Sequence, residues 1–158
     1  MLSFDVDDNR FNFRSAAVVI QDEHVLLHKA ISDDFWALPG GRVEFFETSE
    51  DTIARELKEE LGITAEVSRQ LWYVENFFNY KGKNVHEVSN YFLTKLEPSS
   101  KINSERNFKG IEEDMDLIFR WVLIRKLNEY VLKPSFLING IKNLPSEVIY
   151  IKLNELCT

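Results

Sequence analysis

At 158 residues, with 44% hydrophobic and 13% aromatic residues, the chain is sized for one domain with one core, which excludes a disordered polymer. The net charge of −7 comes without a basic stripe and excludes a nucleic-acid polymer as the expected partner. No apolar run reaches the ~18 residues of a membrane span, so no membrane partner is expected either.

Residues 1–10 carry three Asp and lack the basic start and apolar stretch of a signal peptide. Cys157 is the only cysteine, so neither an internal disulfide nor a cysteine zinc site can form. These features predict a cytoplasmic protein whose one domain spans residues 1–158.

Residues 11–21 are rich in Val, Ile and Phe and predict a strand, followed by a second strand over 24–30. Gln21-Asp22-Glu23 is short and polar enough for the connection between them. Pro39-Gly40-Gly41 then forces a turn. A helix is predicted over 48–61, and strands over 65–78 and 85–96 with a turn at 81–84. Residues 117–124 predict another strand and 124–130 a short helix. Pro134 is placed to open a last helix through 144, with a final strand over 148–153. Interleaved strands and helices imply a layered α/β or α+β domain with a mixed sheet.

The helix at 48–61 has both ends written in the sequence. Thr48 suits the N-cap position, with Asp51 at the third helical position. Gly62 followed by Ile63 reads as a left-handed C-terminal cap. Ile53, Leu57 and Leu61 form one apolar stripe. Glu56, Glu59 and Glu60 span an arc of only about 100° on a second face.

Such a trio is either a solvated acidic face or a site for a hard cation. Like charges at these spacings cost a helix a few tenths of a kcal/mol per pair, roughly. No basic residue stands four positions from Glu56 or Glu60, and Arg55 reaches only Asp51 and Glu59 by spacing. A divalent cation would relieve the repulsion. The residues alone leave both readings open.

Residues 41–63, GRVEFFETSEDTIARELKEELGI, resemble the Nudix box G-x5-E-x7-R-E-U-x-E-E-x-G-U, where U is a bulky aliphatic. Gly41, Glu47, Arg55, Glu56, Leu57, Glu59, Glu60, Gly62 and Ile63 fill every fixed position. The flanking stretches 36–41 and 119–122 are also similar to this family. The resemblance implies a Nudix-type α/β/α sandwich with a mixed β-sheet. It further implies a MutT-like hydrolase, dependent on Mg2+ or Mn2+, that cleaves the diphosphate linkage of a nucleoside diphosphate joined to another moiety.

Under that resemblance Glu56, Glu59, Glu60 and the carbonyl of Gly40 would hold the metal, with Glu44 as a weaker additional candidate. Glu47 would pair with Arg55. The catalytic set would be Glu59, Glu60 and Arg55 with Glu112, a later loop acid suited to act as general base or else merely solvated beside Glu113 and Asp114. Many members carry glycine just before the first Glu of the box; here that position is Phe46.

Aromatics cluster at Trp72, Tyr73, Phe77, Phe78 and Tyr80, either as core or as stacking partners for a base. Trp72 and Tyr80 are the substrate-binding candidates. Tyr80 stands 17 residues beyond Ile63, near where members acting on diadenosine polyphosphates carry a tyrosine. The proline of ADP-ribose hydrolases is absent from residues 75–79. His24, His28 and His86 are isolated and expected to be structural or at the surface.

The expected partner is a small-molecule nucleotide, and a homodimer is compatible with the resemblance. Two alternatives stand beside the general activity: a hydrolase specific for dinucleoside polyphosphates, and a non-catalytic nucleotide-sensing or RNA-end-binding module on the same fold. Isomerisation of isopentenyl diphosphate, known in a related branch, is disfavoured because no cysteine stands in the central region.

Overall fold

The computed structural model describes residues 1–97, 104, 106–114 and 116–156. The run Ala16-Ala17-Val18-Val19 lacks polar alternation, as a strand covered on both faces does, and all four residues are fully buried. They form the centre of β2 (Asn9–Gln21), which runs parallel to β6 (Lys83–Leu96). β6 pairs antiparallel with β5 (Ala65–Tyr80), and β5 pairs parallel with β9 (Ile149–Asn154). On the other side, β3 (His24–Ala30) turns back from β2 and pairs with β8 (Leu117–Leu123). Three short strands, β1 (Ser3–Val6), β4 (Gly40–Arg42) and β7 (Phe108–Lys109), complete the sheet. The main order is β7-β8-β3-β2-β6-β5-β9, and both β1 and β4 pair with β2.

The two faces of the sheet carry separate apolar clusters. Ala17, Val19, Leu26, Phe119 and Trp121 pack with Ile53 and Leu57 of α1 (Ser49–Leu61). Ala16, Val18, Val25, Leu27 and Val122 pack instead with Leu127 of a 3-10 helix (Ile124–Glu129) and with Leu137 and Ile141 of α2 (Leu137–Lys142). The alternation along β2, β3 and β8 thus splits one apolar run between two layers, giving the expected α/β/α sandwich. Each fully buried Leu or Ile contributes about 1.5–3 kcal/mol to that packing.

One feature of the sheet makes room for a site. β3 stays with β2 only at Ile20↔Val25 and Gln21↔His24. Beyond that the strands part, and residues 37–42 enter the fork. Ala37 exchanges backbone hydrogen bonds with His28 at 2.8 and 2.9 Å, and Gly40–Arg42 pair with residues 14–16 of β2.

The sequence expectations differ from the structure at several ends. β5 and β6 run on to Tyr80 and Lys83, because Lys81 (φ +49°) and Gly82 (φ +80°) close a tight two-residue turn. The last helix is shorter than 134–144: Pro134 and Ser135 spend their carbonyls on three-residue turns to Leu137 and Ile138 before the helix begins. The segment 124–130 is a 3-10 helix over Ile124–Glu129. β1, β4 and β7 were not anticipated; β4 contains two glycines and is a strand only because β2 offers it an edge.

Candidate active site

The helix α1 begins as its sequence predicts. The Thr48 hydroxyl oxygen accepts the Asp51 N–H at 3.1 Å. It ends at Gly62 in the left-handed conformation (φ +67°), whose N–H reaches the Lys58 carbonyl at 2.9 Å. These two caps fix the helix length, and therefore fix which wall of the neighbouring cleft receives Glu56, Glu59 and Glu60. The cleft, about 740 Å³, is bordered by β4 and by Asn12 and Arg14 of β2; all three carboxylates line it, as do Gly40, Gly41, Glu44, Arg55 and Glu112.

The loop before α1 is held by a bidentate ion pair. Arg55 donates from Nε to Glu47 Oε1 at 2.7 Å and from Nη2 to Oε2 at 3.1 Å. The Thr52 hydroxyl and the Glu44 N–H donate to the same carboxylate at 2.7 and 3.0 Å. Above all the Arg55 hydrogen bonds, and then the Glu44 and Thr52 bonds, hold the Glu47 carboxyl down at about 2 against the cost of burial.

Spacing suggested that Arg55 would serve Asp51 and Glu59 and leave Glu56 without a cation. The Glu59 contact forms, from Nη1 to Oε2 at 3.3 Å, and Arg55 also gives Nη1 to Glu56 Oε1 at 2.8 Å. The adjacent residue was missed because i,i+1 side chains ordinarily diverge on a helix. Here Glu47 draws the guanidinium across the helix end, and Glu56 lies under it.

Glu60 has no such partner. It is 2% exposed, and its Oε2 has no hydrogen-bond partner among the described residues. Burial pushes its carboxyl up to about 8, repulsion from Glu56 and Glu112 adds to this, and Arg14 opposes it. His28, expected to be structural or at the surface, is buried beside it.

Glu112 arrives by a backbone contact. The Ile111 N–H donates to the Glu60 carbonyl at 2.7 Å, and a Cβ on Gly110 would meet that same carbonyl at 2.7 Å. Glycine there lets the loop lie flat on the end of α1 and carries Glu112 to the cleft.

The residues fit a hard divalent cation in donor chemistry and in charge. A desolvated, unpartnered carboxylate oxygen is costly unless a cation or donor meets it. Gly41 leaves space at the same place: a Cβ there would fall 2.1 Å from Glu56 Oε1. The geometry is not a ready-made cage, however. Among the described residues no three His, Cys, Asp or Glu groups converge as metal ligands, and Glu59 is half-exposed and turned to Arg55.

Of the two substrate-binding candidates, Tyr80 lines the cleft and Trp72 does not. The Tyr80 hydroxyl donates to Asp33 at 3.0 Å, and its ring meets Phe35 edge-on at 6.2 Å. Trp72 is corrected: it is 2% exposed and packs edge-on against Phe136 and Tyr91 in the core, so it cannot stack on a ligand. Phe35 was missed. The signal was the Phe35-Trp36 pair before the Pro39 turn, of which extended backbone must send one ring inward and one outward. Asn76 and Glu87, also in the cleft, were legible only as polar interruptions in apolar strands.

The chain matches the family model described as the NUDIX domain over residues 12–136. It is 32% identical over 93 residues to a provisionally named mutator protein, MutT4, of Mycobacterium tuberculosis (strain CDC 1551 / Oshkosh), covering 58% of this chain and 34% of that one. It is 28% identical over 143 residues to the RNA pyrophosphohydrolase of Campylobacter jejuni subsp. doylei, covering 78% of this chain and 86% of that one. Among solved structures, the MutT protein from Bacillus halodurans superposes with a TM-score of 0.64 at 19% identity, covering 92% of this chain and 90% of that one, a likeness of fold. The chain spans about a third of the MutT4 protein's length.

Proposed function

The chain belongs to the NUDIX domain family, and from that membership we propose that it is a metal-dependent hydrolase cleaving the diphosphate linkage of a nucleoside diphosphate joined to another moiety. The observation that carries this reading is Glu60: a buried carboxyl whose Oε2 has no hydrogen-bond partner among the described residues, beside Glu56, on the wall of a cleft large enough for a nucleotide. Stability does not account for such a group, since a buried polar atom left without a partner costs about 1–3 kcal/mol and the helix would fold without it.

In this reading Glu56, Glu59 and Glu60, with the Gly40 carbonyl, hold Mg2+ or Mn2+. Such a cation, when bound, would supply positive charge against the charge that the diphosphate oxygens gain in the transition state. Arg55 keeps the loop in register through Glu47 and holds Glu56 and Glu59 at the wall. Glu112, carried to the cleft by the Ile111–Glu60 backbone bond, accepts the proton of the attacking water. Tyr80 and Phe35 flank the organic end of the substrate.

The substrate in this reading is a small nucleotide rather than a polymer, given the net charge of −7. The test is a hydrolysis panel of nucleoside triphosphates, dinucleoside polyphosphates, nucleotide sugars and ADP-ribose with Mg2+ or Mn2+. Metal-dependent release of a nucleotide is expected from at least one class. Nucleotide binding with no turnover on any of them overturns the reading in favour of a sensing module.

A further inference from the structure

The register of the sheet places three polar side chains in one row. Asn12 of β2 stands opposite Glu87 of β6, and Glu87 stands opposite Asn76 of β5. Directly opposed residues share a face, and all three line the cleft. Phe78 lies two residues along β5 from Asn76, on that same face and also in the cleft. A row of amide, carboxylate and amide is an unusual floor for strands that are core four residues along, at Ala16, Tyr91 and Trp72.

The hydrogen-bonding state of the row is lopsided. Asn76 is 5% exposed and donates from Nδ2 to Glu155 Oε1 at 3.1 Å. That bond fixes the amide orientation, because Oδ1 could not face a carboxylate. Oδ1 is then left as a buried acceptor with no partner among the described residues. Asn12 is engaged on its far side, where its Oδ1 accepts the Ser3 hydroxyl at 2.7 Å. Glu87 is hydrogen-bonded by Asn12, and burial raises its carboxyl although Arg14 and Arg42 oppose the shift. The unpartnered group of the row is therefore an acceptor, Asn76 Oδ1, set opposite the Glu87 carboxyl.

We propose that Asn76 and Glu87 recognise the non-reacting end of the substrate, and that this end is a ring presenting two adjacent N–H or O–H donors. Two parts of a nucleotide have that chemistry: the edge of guanine, with its ring N–H beside an amino group, and the vicinal diol of a ribose. Phe78, Phe35 and Tyr80 supply the faces against which either ring packs. The proposal rests on the hydrolase reading for the identity of the ligand as a nucleotide, but the row and its unpartnered acceptor do not depend on it.

The test uses the full chain and calorimetric binding of four probes. They are GMP, IMP (which lacks the amino group), AMP (which also lacks the ring N–H) and 2′,3′-dideoxy-GMP (which lacks the diol). Binding of GMP is expected to exceed that of the base-altered pair or of the dideoxy probe by about tenfold or more, because a site built around acceptors rejects a ligand without the matching donors. The base arm and the diol arm separate the two sources. In Asn76→Leu and in Glu87→Gln, each confirmed as folded by its melting curve, that gap should close to about twofold. Failure of all four probes to bind overturns the proposal. So does equal binding of all four, or an unchanged gap in both folded variants. Running the hydrolysis panel alongside separates the two readings: turnover without any donor-dependent gap defeats this inference and leaves the hydrolase, whereas no turnover defeats the hydrolase.

Discussion

His28 Nδ1 lies 3.9 Å from Glu60 Oε2, and both are buried atoms without a hydrogen-bond partner among the described residues. They do not form an ion pair. Burial, helped by Arg14, drives the His28 imidazole down to about 3 and keeps it neutral, while burial and Glu56 push the Glu60 carboxyl up to about 8. The folded, metal-free protein therefore holds a proton on Glu60 that the unfolded chain releases near 4.5. A folded state that binds the extra proton is favoured below that ordinary value and loses stability as pH rises through about 8. Chelator-treated wild type should melt roughly 5–10 °C lower at the upper end of this window than at the lower end, beyond the trend in Glu60→Gln. Parallel curves for the two proteins would show that Glu60 is not the group responsible.

Divalent metal should reverse this loss. A cation favours the ionised carboxylate, so Mg2+ should raise the melting temperature more at pH 8 than at pH 5, roughly bracketing the titration of Glu60. Glu60→Gln should abolish the metal-dependent rise and lower turnover by roughly two to three orders of magnitude. Glu59→Gln should lower turnover as well. It should cost little stability, because Glu59 is half-exposed and loses only a surface pair with Arg55. Near-normal turnover and an intact metal shift in Glu60→Gln would place the ligands elsewhere.

The bidentate pair between Arg55 and Glu47 makes a prediction with the opposite sign. The Glu47 carboxyl is held near 2 in the folded state, below its ordinary 4.5. Its contribution is present above the ordinary value and is lost as pH falls toward the depressed one. Arg55→Ala should therefore shift the acid-unfolding midpoint to higher pH, and should lower turnover by about tenfold to a hundredfold while the far-ultraviolet spectrum keeps its helix. An unchanged acid midpoint together with unchanged turnover would mean that the pair does not organise the loop.

The helix was legible in full because its caps, its apolar stripe and its acidic face are local patterns of one chain segment. The same holds for β2, whose four central apolar residues announce a two-sided strand. Glu56 and Glu60 were legible as a pair but not as opposites. Which of them has a cation depends on Glu47 pulling Arg55 across the helix end, a contact eight residues away in sequence. β4 and the Asn12–Glu87–Asn76 row depend on strand register between distant segments, which no local pattern encodes. Trp72 misled because aromatic composition says nothing about which face of a strand a ring takes. Its place is set by Tyr91 and Phe136, which arrive from elsewhere in the chain.

Phe46 stands where many relatives of this box carry glycine, and the backbone supplies a reason for that preference. Its φ is +65°, in the left-handed region, where a side chain with a Cβ costs roughly 1–2 kcal/mol. The ring recovers none of that by burial, since the residue is 105% exposed, with its ring 6.2 Å from that of its neighbour Phe45 between centroids. Phe46→Gly should therefore relieve the strain, less about 0.4–1 kcal/mol that the more flexible unfolded chain takes back. A net gain of about 0–1.6 kcal/mol raises the melting temperature by roughly 0–6 °C. Phe46→Ala is the control: it removes the ring but keeps the strained φ, so it should melt with the wild type. The loop also bears Glu47, one residue on, so turnover reports a separate property. If the ring only sits in solvent, both variants should turn over small substrates within about twofold of wild type, as surface changes without partners do. If both variants lose turnover while melting as expected, the exposed ring contacts substrate. A glycine variant less stable than the alanine variant would show that the left-handed turn at residue 46 is not a strained conformation in solution.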